Sequence, residues 1–280
     1  MAETNDRGEN LDALLPPQMA LRAESVGQAK AKLDSAPMFA LAVLAGAFIA
    51  WGAVFATTVT TSGGDTALPF GVTKLIGGLS FSLGLILVIV GGAELFTGNN
   101  LIVMAWASRR ITTQQVLRNW LIVYLGNFVG AFGVAILVSL AGHSDNEAVR
   151  ENILKIATAK CSLDWTRAIA AGIACNVLVC LAVWLCMSAR TVTDKVVAII
   201  FPIAAFVATG MEHCVANMYF IPAGMLARFR ANIPADDYAE ITMTNFLWNN
   251  LLPVTIGNVI GGTVLVGLVY WFVYLRGRDK

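Results

Sequence analysis

Gly92-Ala93-Glu94-Leu95-Phe96-Thr97-Gly98-Asn99 and Gly210-Met211-Glu212-His213-Cys214-Val215-Ala216-Asn217 align without a gap and share G-x-E-x-x-x-x-N. The stretches that follow align as well. Asn119, Leu121, Val123, Gly126, Asn127 and Gly130 match Asn250, Leu252, Val254, Gly257, Asn258 and Gly261. Ala42, Ala45 and Gly46 match Ala168, Ala171 and Gly172 more weakly. Two motifs repeated in the same order describe a chain of two related halves.

What those halves are made of follows from composition. Of 280 residues, 57% are apolar and 13% charged, against about 45–50% and about 25% in a soluble domain. With a mean hydropathy of +0.70 this excludes an ordinary soluble enzyme and a disordered or fibrous chain. The net charge of +1 carries no polybasic signature for nucleic acid. The five cysteines fall mostly in apolar runs without metal-ligand spacing, so they read as reduced, packed thiols with neither a metal nor a disulfide framework. Met1–Asn10 is polar and lacks the apolar core of a cleavable signal.

A membrane-crossing helix takes about 20 apolar residues. Residues 35–64, 119–144, 168–189 and 241–275 are free of charge, and each holds one span. Residues 75–108 and 196–227 are long enough but are interrupted by Glu94 and Glu212. The expectation is an all-α polytopic membrane protein of six spans, with spans 2 and 5 broken in mid-membrane. Three spans per half is odd, so the halves are inverted and enclose a pathway between them. Lys and Arg number 12 on the side of both termini and 7 on the other, which puts both termini in the cytoplasm. The division is a cytoplasmic tail 1–37 with an amphipathic helix over Pro16–Leu33, a membrane domain 38–275 with repeats 38–141 and 165–275, and a cytoplasmic tail 276–280. Residues 228–244 read as a polar outside loop.

The glycines break the helices, and Asn99 and Asn217 suit the N-caps of half-helices that restart there. Glu94 and Glu212 are assigned first to holding the broken backbone by accepting freed N–H groups, with a proton relay as the alternative. Two helix N-termini converging at the centre favour an anion, and no Lys or Arg lies in a span centre to do so instead. His213, the one histidine in a span, can bind an anion or hand it a proton, or can be a neutral ring bonded to backbone or Glu. Thr97 can offer its hydroxyl to the same solute or cap locally. Phe81, Leu85, Leu95, Phe96 and Phe206 flank the breaks, as an apolar constriction or as ordinary packing. A water or polyol channel with a polar filter, and an intramembrane enzyme using Glu212 and His213, are the rival readings. The first lacks its span-centre Arg, and in the second adjacent helical residues do not face each other.

Lys74-Leu-Ile-Gly-Gly-Leu-Ser-Phe-Ser-Leu-Gly-Leu-Ile-Leu, Glu94-Leu-Phe-Thr97, Asn176-Val-Leu-Val-Cys-Leu-Ala-Val-Trp184, Glu212-His-Cys-Val-Ala-Asn217 and Pro253-Val-Thr-Ile-Gly-Asn258 resemble the formate/nitrite transporter family, most of all its formate-channel branch, over residues 38–275. The resemblance implies an aquaporin-like protomer, a homopentamer and a bacterial inner-membrane location. It implies transport of formate, with nitrite and related small anions also accepted, and no enzymatic activity or cofactor. It implies that Thr97 and His213 are the central polar pair, Phe81 and Phe206 the outer constriction, Leu85 and Leu95 the inner one, and Asn176 and Lys160 polar residues near the outer entrance. Cys214, where Ser is frequent, and Gly98-Asn99-Asn100, in place of a more hydroxyl-rich stretch, depart from the family pattern beside the centre.

Overall fold

The computed structural model describes residues 12–62 and 68–277. The first eleven residues of the expected N-terminal tail and residues 278–280 of the expected C-terminal tail lie outside the described residues. Within these limits the regular structure is entirely helical. The helices are α1 (Pro16–Lys32), α2 (Ser35–Val59), α3 (Phe70–Gly91), α4 (Val103–Ala107, preceded by a 3-10 turn Gly98–Ile102), α5 (Thr113–Leu140), α6 (Glu147–Cys161), α7 (Trp165–Ser188), α8 (Val192–Ala208), α9 (Cys214–Arg230) and α10 (Asn245–Tyr274). Five of them, α2, α3, α5, α7 and α10, are long and apolar enough to cross a membrane. The stretch 196–227, expected to hold the fifth span, falls on α8 and α9, each 17 residues long.

Glycine ends both α3 and α8. Gly92 takes φ +77° and Gly210 φ +72°, the left-handed conformation that lets a helix terminate without a Cβ clash. The chain then runs without helical hydrogen bonding to Gly98 in one half and Cys214 in the other.

Packing repeats along with the sequence. In the first half α2 lies between α3 and α5; in the second, α7 lies between α8 and α10, and α3 packs on α8 to join them. Glycine permits close approaches, because a Cβ on Gly130 would overlap the Val43 carbonyl oxygen and one on Gly261 that of Ile173. Helix α10 is π-helical over Asn245–Leu251 and Ile260–Leu268, whereas its counterpart α5 is regular throughout.

The N-terminal helix packs against the helices that follow it. Its buried face, Met19, Ala20, Ala23, Gly27 and Ala31, packs on the Gly98–Ile102 turn and α4. Helix α6 packs on α9 in the corresponding place. The five cysteines are free and buried.

Candidate functional site

The non-helical segments that follow α3 and α8 meet at one contact. Thr97 Oγ1 lies 2.9 Å from His213 Nε2, with both residues buried. His213 is also the N-cap of α9, its Nδ1 accepting the Ala216 amide proton at 3.1 Å. A ring nitrogen that accepts carries no proton, so the neutral ring holds its proton on Nε2 and donates to Thr97 Oγ1. The Thr97 hydroxyl proton is then left to point elsewhere.

Two cavities approach this pair. One, about 300 Å³, is lined by Arg22, Lys30, Leu85, Glu94, Leu95 and Lys195 among others; the second, about 460 Å³, by Lys74, Phe81, Lys155, Lys160, Phe206 and His213 among others. Phe81 and Leu85 are one turn apart on α3, each facing a different cavity. Phe81 and Phe206 meet edge to face with centroids 5.6 Å apart, and Phe206 stacks near the His213 ring at 6.0 Å. Thr97 is bonded to His213, which lines the second cavity, and precedes Gly98, which lines the first.

The same polar network stands beside each of these two segments. Lys30 Nζ lies 2.6 Å from Glu94 Oε1, and Lys160 Nζ 2.9 Å from Glu212 Oε1. The other carboxylate oxygen accepts the side-chain amide of Asn99 in the first half and Asn217 in the second, at 2.6 Å each. Those amides also donate to Asn119 and Asn250 Oδ1, and the latter two donate to the carbonyls of Lys30 and Lys160. A buried carboxylate is tolerable only with a cation and hydrogen-bond donors around it, and here both are present.

Several expected placements are corrected by these contacts. Asn99 and Asn217 are not N-caps, because their side chains are drawn to the glutamates; the cap of α9 is His213. The freed backbone is held by Asn127 and Asn258 and not by the glutamates. Asn127 accepts the Phe96 N–H and donates to the Ala42 and Glu94 carbonyls; Asn258 accepts the Cys214 N–H and donates to those of Gly172 and Glu212. An amide side chain can accept and donate at once, which a carboxylate cannot. Phe96 lines neither cavity and packs edge-on against Trp120 and Tyr124. Asn176 lies at neither cavity mouth. It is fully buried and donates to the carbonyls of Thr97 and Asn258 and to Asn100 Oδ1, joining the segment after α3 to α10. Lys160 does line the second cavity, with its side chain 14% exposed and paired with Glu212.

Asn119, Asn127, Asn250 and Asn258 were visible as repeated positions, although their roles were not. Lys30 had a signal too, since Lys30-x-x-Leu33-Asp34 matches Lys160-x-x-Leu163-Asp164. That match extends the repeat backwards to include α1 and α6.

Comparison with known proteins agrees with this architecture. Residues 17–272 match the formate/nitrite transporter family. The formate channel FocA of Escherichia coli K12 is 45% identical over 278 residues, covering 96% of this chain and 97% of that protein. A probable formate transporter of Methanothermobacter thermautotrophicus is 35% identical, covering 93% and 97%. Among solved structures, a pentameric formate channel with formate bound superposes with a TM-score of 0.78 at 42% identity, covering 86% of this chain and 98% of that one. An FNT family ion channel gives a TM-score of 0.80 at 29% identity, covering 91% and 98%. These relatives are channels and transporters, not enzymes, and this multi-pass membrane chain belongs to the formate/nitrite transporter family.

Proposed function

We propose that this chain is a bidirectional channel for formate and related small monovalent weak-acid anions. In this reading it has six spans in two inverted halves, with the second and fifth broken in mid-membrane. Both termini are cytoplasmic, and five copies assemble in a bacterial inner membrane. The α1 side is then the cytoplasmic face and the α6 side the outer one. The excess of Lys and Arg on the side of the termini supports that orientation. The formate-bound pentameric structural relative supports the substrate and the assembly.

The single observation that carries the mechanism is the Thr97–His213 contact reached from two cavities. Each cavity is lined by three basic side chains, Arg22, Lys30 and Lys195 in one and Lys74, Lys155 and Lys160 in the other, against one glutamate. This charge excess draws an anion in from either end. At the centre the Thr97 hydroxyl proton, left free by the His213 tautomer, is offered to the anion. Phe81 with Phe206 and Leu85 with Leu95 form apolar collars that block hydrated ions. A small carboxylic acid with a pKa of about 3.5 is almost wholly ionised at neutral pH, so passage through such collars needs a proton or a positive field. His213 Nε2–H passes to the anion through Thr97 Oγ1 only as Nδ1 gives up the Ala216 N–H and takes a proton from the second cavity, which leaves the ring neutral. Glu94 and Glu212 are engaged with lysine and asparagine, which favours the structural role over the relay.

The test is labelled-formate uptake into proteoliposomes at pH 7 and pH 5, with nitrite and hydrosulfide as competitors. Formate flux that changes with pH is the expected result. Weak formate flux beside strong nitrite or hydrosulfide flux reassigns the substrate, and fast water flux without anion flux overturns the reading.

A further inference from the structure

Away from both cavities, two buried polar atoms without a partner among the described residues line one small chamber. They are the Tyr219 hydroxyl on α9 and His143 Nδ1 in the turn after α5. The chamber is walled by Ala135, Val138, Ser139, Ser144, Ile153 and Ala223, and holds about 10 Å³, the room needed by one water molecule.

The donor and acceptor character of the two atoms follows from their other bonds. Thr58 Oγ1 donates to the Val54 carbonyl at 2.9 Å, so in its 3.0 Å contact with His143 Nε2 it must accept. The neutral His143 ring therefore carries its proton on Nε2 and presents a bare, accepting Nδ1. Burial pushes the His143 pKa down, which keeps the ring neutral at pH 7. Tyr219, 1% exposed, presents an O–H with no acceptor among the described residues. An unpaired donor and an unpaired acceptor thus share a chamber of one-water size.

We propose that this chamber is a binding site for a single structural water, which accepts from the Tyr219 hydroxyl and donates to His143 Nδ1. Ser139 and Ser144, both buried, stand in the same wall to take its remaining bonds. Through His143 and Thr58 the bridge runs on to α2, so one water links α9, the turn after α5, and α2. It steadies the middle of the helix whose first turn His213 caps.

The experiment exploits the fact that the sequence has two histidines. A structure of the wild-type protein fine enough to resolve water is expected to show one density within hydrogen-bonding distance of both atoms. In protein labelled with nitrogen-15 histidine, Tyr219→Phe is expected to move the His143 Nδ1 resonance towards that of an unbonded acceptor. The same variant is expected to lower Tm by roughly 2–4 °C. A dry chamber, a direct Tyr219–His143 bond, or an Nδ1 resonance indifferent to Tyr219→Phe overturns the proposal. If Tyr219→Phe does not fold, the wild-type density decides it alone.

Discussion

Thr97 Oγ1 and His213 Nε2, 116 residues apart in the chain, meet at 2.9 Å, and the same imidazole caps α9 through Nδ1. One ring therefore has a structural task on one nitrogen and a polar contact on the other. Removing it confounds the two. His213→Asn separates them, because asparagine caps helices well but does not titrate. That variant is expected to fold and insert normally, with the pH dependence of formate flux abolished. Retention of a wild-type pH profile in liposomes would remove His213 from proton delivery. Thr97→Val keeps the shape but removes the hydroxyl, with a loss of about tenfold in flux expected for one hydrogen bond of about 1.4 kcal/mol.

The paired Lys–Glu contacts make a stability prediction. Lys160 and Glu212 have side chains 14% and 8% exposed, so removing one partner strands a charge away from water. Lys160→Met is expected to destabilise by about 3–5 kcal/mol. The double variant Lys160→Met with Glu212→Gln is expected to recover much of that loss, since Gln still accepts from Asn217. Thermal unfolding in detergent distinguishes this from simple additivity. Lys30 is 27% exposed against 6% for Glu94, so Lys30→Met is expected to cost less.

Glycines within one helix should behave in opposite ways. A Cβ on Gly130 would overlap the Val43 carbonyl, whereas nothing lies within 4 Å of the same atom on Gly133. Gly130→Ala is expected to prevent the α2–α5 contact and give no folded protein. Gly133→Ala is expected to be neutral or to stabilise by up to about 1 kcal/mol through helix propensity. Expression level and Tm of the two variants check this directly.

His143 should contribute acid sensitivity. Its folded-state pKa is held below 6.5 by burial, so the unfolded chain binds the proton more readily. The cost is absent above pH 6.5 and grows as pH falls through that value towards the folded pKa. Stability measured from pH 7.5 to pH 5 should therefore fall less steeply in His143→Gln than in the wild type. A variant with an unchanged slope would contradict that assignment.

Much of this protein was legible in the chain alone. Charge-free stretches marked the apolar helices, and the repeated G-x-E-x-x-x-x-N marked where two of them stop, since glycine at Gly92 and Gly210 takes a backbone conformation that other residues avoid. Such signals are local, being written in consecutive residues and in the periodicity of one helix. The partners of the buried polar groups were a different matter. Asn127 and Asn258 stood out as repeated but gave no hint that they hold the backbone after α3 and α8, and Asn176 gave none that it joins the Thr97 segment to α10. Lys30 gave no hint that it reaches Glu94 across 64 residues of chain. A buried donor takes whichever acceptor the packed helices bring within about 3 Å, and that choice is made by the packing of the helices and not by spacing along the sequence.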